Sequence, residues 1–317
     1  MDFSCLKTSR GEPFKSSGPT HITSIDWNNK RDLRTVAASL VMGVYNQERE
    51  RQSQGSQPLL SDDDASIVGA IYEYKYLDSH IFHSPVKPPR YVIAFRGNIL
   101  KPATVVKDIK SDVRLFFNTL EKSHRFLVAW QAVQIMVALV GDTNPVNIWL
   151  AGHSLGAAIA LLVGRNMVTE GCYLETYLFN PPFLSTPIGS IKSEKVKNAA
   201  HFIDNFSKAT VALVRPRQRT DQAQLFTTLS EWVPKLYVNP LDPICSEYIG
   251  YFEGWEKMTK KGFRAIERLV TQNSVRALVS DKEPVHLLPS ANVTINRPVR
   301  VFCQDHGIQQ WWRNDGL

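Results

Sequence analysis

A serine hydroxyl is a weak nucleophile at neutral pH unless a base takes its proton and fixed donors receive the oxyanion that forms. The stretch Val146-Asn147-Ile148-Trp149-Leu150-Ala151-Gly152-His153-Ser154-Leu155-Gly156-Ala157-Ala158 offers such a serine. Its Gly-x-Ser-x-Gly turn lies between an apolar, strand-like run and the small-residue run Ala157 to Val163, which suits a helix lying close on a sheet. That context predicts a nucleophile elbow, with Ser154 held clear of the sheet on a sharp strand-to-helix turn.

A base and an orienting acid must follow. In the fold that carries this elbow the chain order is Ser, then Asp or Glu, then His. Asp242 is the best acid candidate, because it sits in a Pro-flanked turn after the predicted strand Lys235–Asn239, and open parallel sheets build their sites at that strand edge. Asp204 and Asp221 are weaker, since neither clearly follows a strand. For the base, His306 follows the predicted strand Val299–Phe302, and Gly307 beside it permits a tight turn. His286 reads as a structural loop histidine. The oxyanion hole needs two backbone N–H groups. Leu155, just after the nucleophile, offers one. Asn98, in Phe95-Arg96-Gly97-Asn98 at the end of an earlier strand, offers the other.

The rest of the chain must position these groups. Residues 1–25 read as a mobile arm. Asp26 is expected to cap a helix through Leu33, Val36, Leu40 and Tyr45, with a polar loop over 47–64. Ser66–Tyr76, Tyr91–Phe95, Tyr173–Phe179 and Val293–Ile295 are further strand candidates. Glu121–Val140 and part of Glu253–Val279 are helical by spacing. Strands alternating with helices predict an α/β fold, a mainly parallel sheet with helices on both faces, as one domain over 26–317. Segments 99–120 and 183–233 are expected to supply a lid or cap. Phe116 and Phe117 would then line an apolar acyl pocket.

The totals bound the function class. The chain has 317 residues and a net charge of +7. The positive residues are scattered, and the cluster Arg215, Arg217 and Arg219 reads as a solvated loop, so nucleic acid is not an expected partner. The polar first thirty residues contain no signal-peptide core, and no stretch is apolar enough to span a membrane. Cys5, Cys172, Cys245 and Cys303 lack metal-ligand spacing and read as reduced thiols, which points to a cytoplasmic location and leaves the sequons at Asn205 and Asn292 without meaning.

Ala94-Phe95-Arg96-Gly97, Gly152-His153-Ser154-Leu155-Gly156 and Asn239-Pro240-Leu241-Asp242-Pro243, in that order, resemble the class 3 lipases of the α/β-hydrolase superfamily. The ending His306-Gly307-Ile308-Gln309-Gln310-Trp311-Trp312 further resembles a plant cytosolic branch often labelled GDSL esterase/lipase, although no Gly-Asp-Ser-Leu occurs here. The resemblance spans roughly residues 30–315. It implies hydrolysis of a lipid or small-molecule ester through an acyl-enzyme, with Ser154, Asp242 and His306 as the triad and no metal or organic cofactor. One departure stands out: the family usually places Thr or Ser where this chain has Asn98, exchanging a hydroxyl for an amide. Two other functions fit the same features. One is acyl transfer, lactone chemistry or elimination on a specialised metabolite, and the other is a non-catalytic lipase-like signalling role. Fold does not separate them.

Overall fold

The computed structural model describes residues 24–54, 66–75, 87–98, 120–140, 147–183, 227–260, 288–296 and 305–312. The predicted strand Val299–Phe302, His286, Asp204, Asp221, Phe116, Phe117 and the Arg215–Arg219 cluster lie outside these residues, as do almost all of 99–120 and most of 183–233.

Six short runs rich in Val, Ile, Leu and aromatics form strands: β1 (Gly69–Glu73), β2 (Tyr91–Phe95), β3 (Ile148–His153), β4 (Glu175–Phe179), β5 (Lys235–Val238) and β6 (Asn292–Ile295). They build one sheet in the order β1-β2-β3-β4-β5-β6. The β1–β2 pair is antiparallel, with Ile71 opposite Ile93. Every later pair is parallel, with Ile93 beside Leu150, Ala151 beside Tyr177, Phe179 beside Tyr237 and Tyr237 beside Thr294. β2 to β5 are apolar almost throughout and buried, which is what a parallel sheet covered on both faces demands.

Helices α1 (Lys30–Gln54), α2 (His124–Val140), α3 (Leu155–Thr169) and α4 (Glu247–Lys260) are interspersed with the strands along the chain. Side chains alternate across a strand. Val92, Ala94, Trp149, Ala151, Tyr177, Phe179 and Tyr237 accordingly share one core with Ala37, Ala38, Val41 and Tyr45 of α1, together with Ile308 and Trp311. α3 packs on β3 and β4, and α2 packs on α3. α3 is buried nearly all round, as its run of Ala, Ile, Leu and Val requires.

The start and end of α1 differ from the sequence expectation. Asp26 forms a turn with the Asn28 N–H (2.9 Å), while Asn29 accepts the Arg31 N–H (2.9 Å) at the helix start. Asn29 is the better cap because its side-chain oxygen lies one residue before the first helical position. The helix also runs on to Gln54 through the expected polar loop. Glu48 accepts from Arg51 (2.8 Å) and Gln52 (2.7 Å) within the helix and from the Ile67 N–H (2.8 Å) outside it. Polar residues at these spacings support a helix, and Glu48 itself is buried rather than solvated.

The chain divides into two compact units, the first comprising Met1–Pro182, Pro234–Ser246 and Asn292–Leu317, and the second Phe183–Val233 and Glu247–Ala291. The sheet lies in the first. In the second, Phe183 meets Tyr248 edge-on (4.8 Å between ring centroids), Tyr251 donates to the Leu288 carbonyl (3.3 Å) and Ser290 donates to the Ser230 carbonyl (2.8 Å). No helix among the described residues is long and apolar enough to cross a membrane.

Candidate active site

Four consecutive parallel strands end at one edge of the sheet, and each delivers a residue that can do chemistry. β2 runs into Arg96-Gly97-Asn98, β3 into Ser154, β4 into Asn180, and β5 into the turn that carries Asp242. This is the edge at which open α/β sheets build their sites.

Ser154 has φ 54° and ψ −125°, a conformation that non-glycine residues adopt rarely and that concentrates at functional positions. The turn is enforced by crowding on both sides. A Cβ on Gly152 would lie 2.2 Å from the Gly156 carbonyl oxygen, and a Cβ on Gly156 would lie 2.3 Å from the Phe95 carbonyl oxygen. Both neighbours are backbone, so neither contact can be relieved by a rotamer change. Gly156→Ala is therefore expected to destabilise the protein by about 2–4 kcal/mol, as overpacking against backbone does. The check is urea unfolding of the variant, and a midpoint equal to that of the wild type would contradict the packing described. Leu155 opens α3, so its N–H belongs to the first turn, whose amides have no partner inside the helix.

Asp242 is fully buried, and His306 nearly so. His306 Nδ1 lies 2.7 Å from Asp242 Oδ2. The same carboxylate accepts the Asn180 Nδ2–H (2.7 Å) on Oδ2 and the Ile244 N–H (3.0 Å) on Oδ1, with the Cys245 thiol 3.3 Å away. Burial pushes the Asp242 carboxyl up, but the His306 ring, the Asn180 amide and the Ile244 N–H outweigh it and hold the group below its ordinary range. A carboxylate that accepts several hydrogen bonds behaves in this way.

The tail after His306 locks this arrangement. Trp311 Nε1–H donates to Asn180 Oδ1 (2.7 Å), which turns the Asn180 NH₂ toward Asp242. The Gln310 amide donates to the carbonyls of Asp305 (2.6 Å) and Gly307 (3.0 Å) and accepts from Asn239 (2.9 Å) and Asn296 (2.9 Å). The histidine loop is thus tied to the ends of β4, β5 and β6. Trp311 anchors it, fully buried against Tyr237 and Phe179.

His153, the residue between the elbow's first glycine and Ser154, is also buried. Its Nε2 lies 2.7 Å from the His306 carbonyl oxygen and its Nδ1 lies 2.8 Å from the Tyr45 hydroxyl. A carbonyl only accepts, so Nε2 carries the proton and Nδ1 accepts from Tyr45. Burial, with the neighbouring His306 ring adding to it, lowers the His153 pKa from its ordinary 6.5 to about 3. The imidazole is therefore neutral in the folded protein. Between those values the unfolded chain binds a proton that the native state refuses, so stability falls as pH drops from about 6.5 toward 3, by at most about 1.4 kcal/mol per pH unit. A His153→Asn variant should show a shallower loss between pH 6.5 and 4.5 in thermal or urea unfolding. Equal slopes for the two proteins would contradict a neutral buried His153.

A Cβ on Gly97 would lie 2.9 Å from Ser154 Cβ, so the loop after β2 passes directly against the serine. Asn98 Oδ1 accepts from Arg125 Nη1 of α2 (2.8 Å).

Ser154, Leu155, Asn98, Asp242 and His306 thus all fall within the sheet-bearing unit, and the structure joins the Asp–His pair directly. Asn180, Tyr45, His153 and Arg96 are contributors that sequence reading did not single out. The signal for Asn180 was the Asn-Pro-Pro that follows β4, and the residue adopts φ 45°, a left-handed conformation that asparagine tolerates well.

The class 3 lipase family profile matches residues 92–185, the segment from β2 through the elbow to the end of β4. A protein of Arabidopsis thaliana named as a GDSL esterase/lipase is 42% identical over 342 residues, covering 98% of this chain and 97% of that protein. No solved structure gives a significant match. The relative aligns along nearly the whole length, and the family's own segment falls on the strands that carry the strained serine. The chain therefore belongs to the class 3 lipase family, hydrolases of the α/β-hydrolase fold.

Proposed function

We propose that this protein is a serine hydrolase that cleaves a carboxylic ester, borne by a lipid or a small plant metabolite, through an acyl-enzyme on Ser154. The observation that carries the reading is the buried Asp242–His306 pair (2.7 Å) on the same sheet edge as a serine with φ 54°. Nδ1 of His306 is engaged by the carboxylate, which leaves Nε2 as the nitrogen that takes the serine proton. Ser154 Oγ then attacks the ester carbonyl. The oxyanion is received by the N–H groups of Leu155 and Asn98, and His306 returns the proton to the departing alcohol. Water, activated by the same histidine, releases the acid and restores the serine. Side chains, backbone amides and water carry every step, and no metal or organic cofactor takes part.

Asn98 keeps the backbone donor at the position where the family usually has a hydroxyl. With its Oδ1 held by Arg125, its side-chain NH₂ remains the donating end.

The test is covalent trapping. A fluorophosphonate probe should label the purified chain at Ser154, as mapped by peptide mass spectrometry, and a panel of esters should yield free acid. Ester product in place of acid when an alcohol is supplied would favour the acyl-transfer reading instead. Absence of labelling together with absence of turnover would favour the non-catalytic one.

A further inference from the structure

We propose that Tyr45 and Arg96 are positioning residues that set the direction of the Asn98 N–H by clamping Gly97 from both of its peptide groups. The proposal rests on the reading of Ser154 as nucleophile and of the Asn98 N–H as an oxyanion donor.

A trans peptide is planar, and its C=O and N–H point in opposite directions. The Gly97 carbonyl and the Asn98 N–H belong to one such plane, and no cis peptide occurs among the described residues. Arg96 Nη1 donates to that Gly97 carbonyl (2.6 Å). Whatever fixes the carbonyl on one side aims the Asn98 N–H on the other. The preceding plane is fixed as well, because the Gly97 N–H donates to the Tyr45 hydroxyl (2.8 Å). Glycine has no Cβ to restrict its backbone, so a loop built on it relies on such bonds to hold one conformation.

Both clamps trace to one turn of α1. Tyr45 and Glu48 are three residues apart and share a face of the helix. Glu48 lies 3.9 Å from Arg96 Nη2, while Arg96 Nε donates to the Ile67 carbonyl, so the guanidinium is pinned before it reaches Gly97. Arg96 is 3% exposed and Glu48 is 0% exposed. The Tyr45 hydroxyl, having accepted from Gly97, donates to His153 Nδ1 (2.8 Å), and His153 donates to the His306 carbonyl (2.7 Å). A single buried chain of hydrogen bonds therefore runs from the oxyanion loop to the loop of the base. Its middle member is the elbow residue next to Ser154. This gives the histidine inside the Gly-x-Ser-x-Gly turn a function: it keeps the donor loop and the base loop in register across the nucleophile.

Oxyanion donors act only when they are aimed at the place where charge develops, and a misplacement of about 1 Å can cost on the order of 10²-fold. Tyr45→Phe keeps the ring in the core and removes only the hydroxyl. It is expected to slow both fluorophosphonate labelling of Ser154 and kcat for a p-nitrophenyl ester by roughly 10–100-fold, with KM changed by less than about threefold. Affinity for an arylboronic acid, whose serine adduct is a tetrahedral anion, should fall by the same factor as kcat/KM. Arg96→Lys, which keeps the charge but loses the planar fork, should give the same pattern. It serves as the reading if Tyr45→Phe proves too unstable to purify.

A folded variant that labels and turns over at the wild-type rate overturns the proposal. So does a loss that appears equally in KM and kcat with no selective effect on the boronate, since that marks a merely structural role. Should the wild-type chain itself not label at Ser154, the reading of the site as a serine hydrolase fails before either variant is compared.

Discussion

Ser154→Ala is expected to reduce ester turnover by about 10⁴–10⁶-fold and to abolish fluorophosphonate labelling, because in the proposed mechanism this residue supplies the atom that becomes covalently bound. The fold should survive the change. Ser154 makes no side-chain capping bond to α3, and the close backbone approach around it depends on the glycines at 152 and 156 rather than on the serine hydroxyl. Serine and alanine share the same Cβ, so the strain is common to both, and the unfolding midpoint should shift little. The measurement is steady-state hydrolysis of an activated ester beside urea unfolding of the same preparations. A folded alanine variant with activity within about tenfold of the wild type would falsify the assignment of the nucleophile, since water held by an intact oxyanion hole does not replace a missing serine so closely.

The second large effect belongs to His306, the base of the proposed mechanism. His306→Ala should cost at least about 10³-fold in kcat/KM, whereas His286→Ala should cost little beyond stability. Among the described residues His306 is the histidine bonded to Asp242, at 2.7 Å, and its loop is held by Gln310 and Trp311 to the ends of three strands. Its removal also leaves Asp242 buried with one partner fewer, although the Asn180 amide and the Ile244 N–H remain. A loss of stability of about 1–3 kcal/mol should therefore accompany the loss of rate. The two effects separate under saturating substrate at low temperature, where the variant stays folded but remains slow. The opposite ranking, with His286→Ala inactive and His306→Ala active, would move the base elsewhere.

Much of the sheet was legible because its strands are buried on both faces. Tyr91–Phe95 and Lys235–Val238 are apolar runs bounded by charge or proline, and such runs have few other ways to satisfy their backbone within a covered sheet. The elbow was legible for a different reason. Close backbone approach admits only glycine, and it leaves that mark at fixed spacing around Ser154. The far half of α1 was not legible. Glu48, Arg51 and Gln52 look like a solvated loop, and only the approach of Ile67 and Arg96 shows that Glu48 is a buried acceptor.

By itself, then, the sequence determined the fold class and the glycine-bounded turn at Ser154, and it pointed to Asp242 and His306 as the acid and base that would follow. Each of these is written in local patterning: period, glycine spacing and turn chemistry. Only the tertiary structure decided which partners hold those groups in place. Asn180 and Trp311 are 131 positions apart, yet together they orient Asp242. Tyr45 and His153 are 108 positions apart, yet share one hydrogen bond beneath the serine. Such pairs carry no local signature. Asparagine, tyrosine, glutamine and tryptophan are ordinary side chains until burial removes water as their alternative partner. From then on each buried donor or acceptor must find its match in the fold.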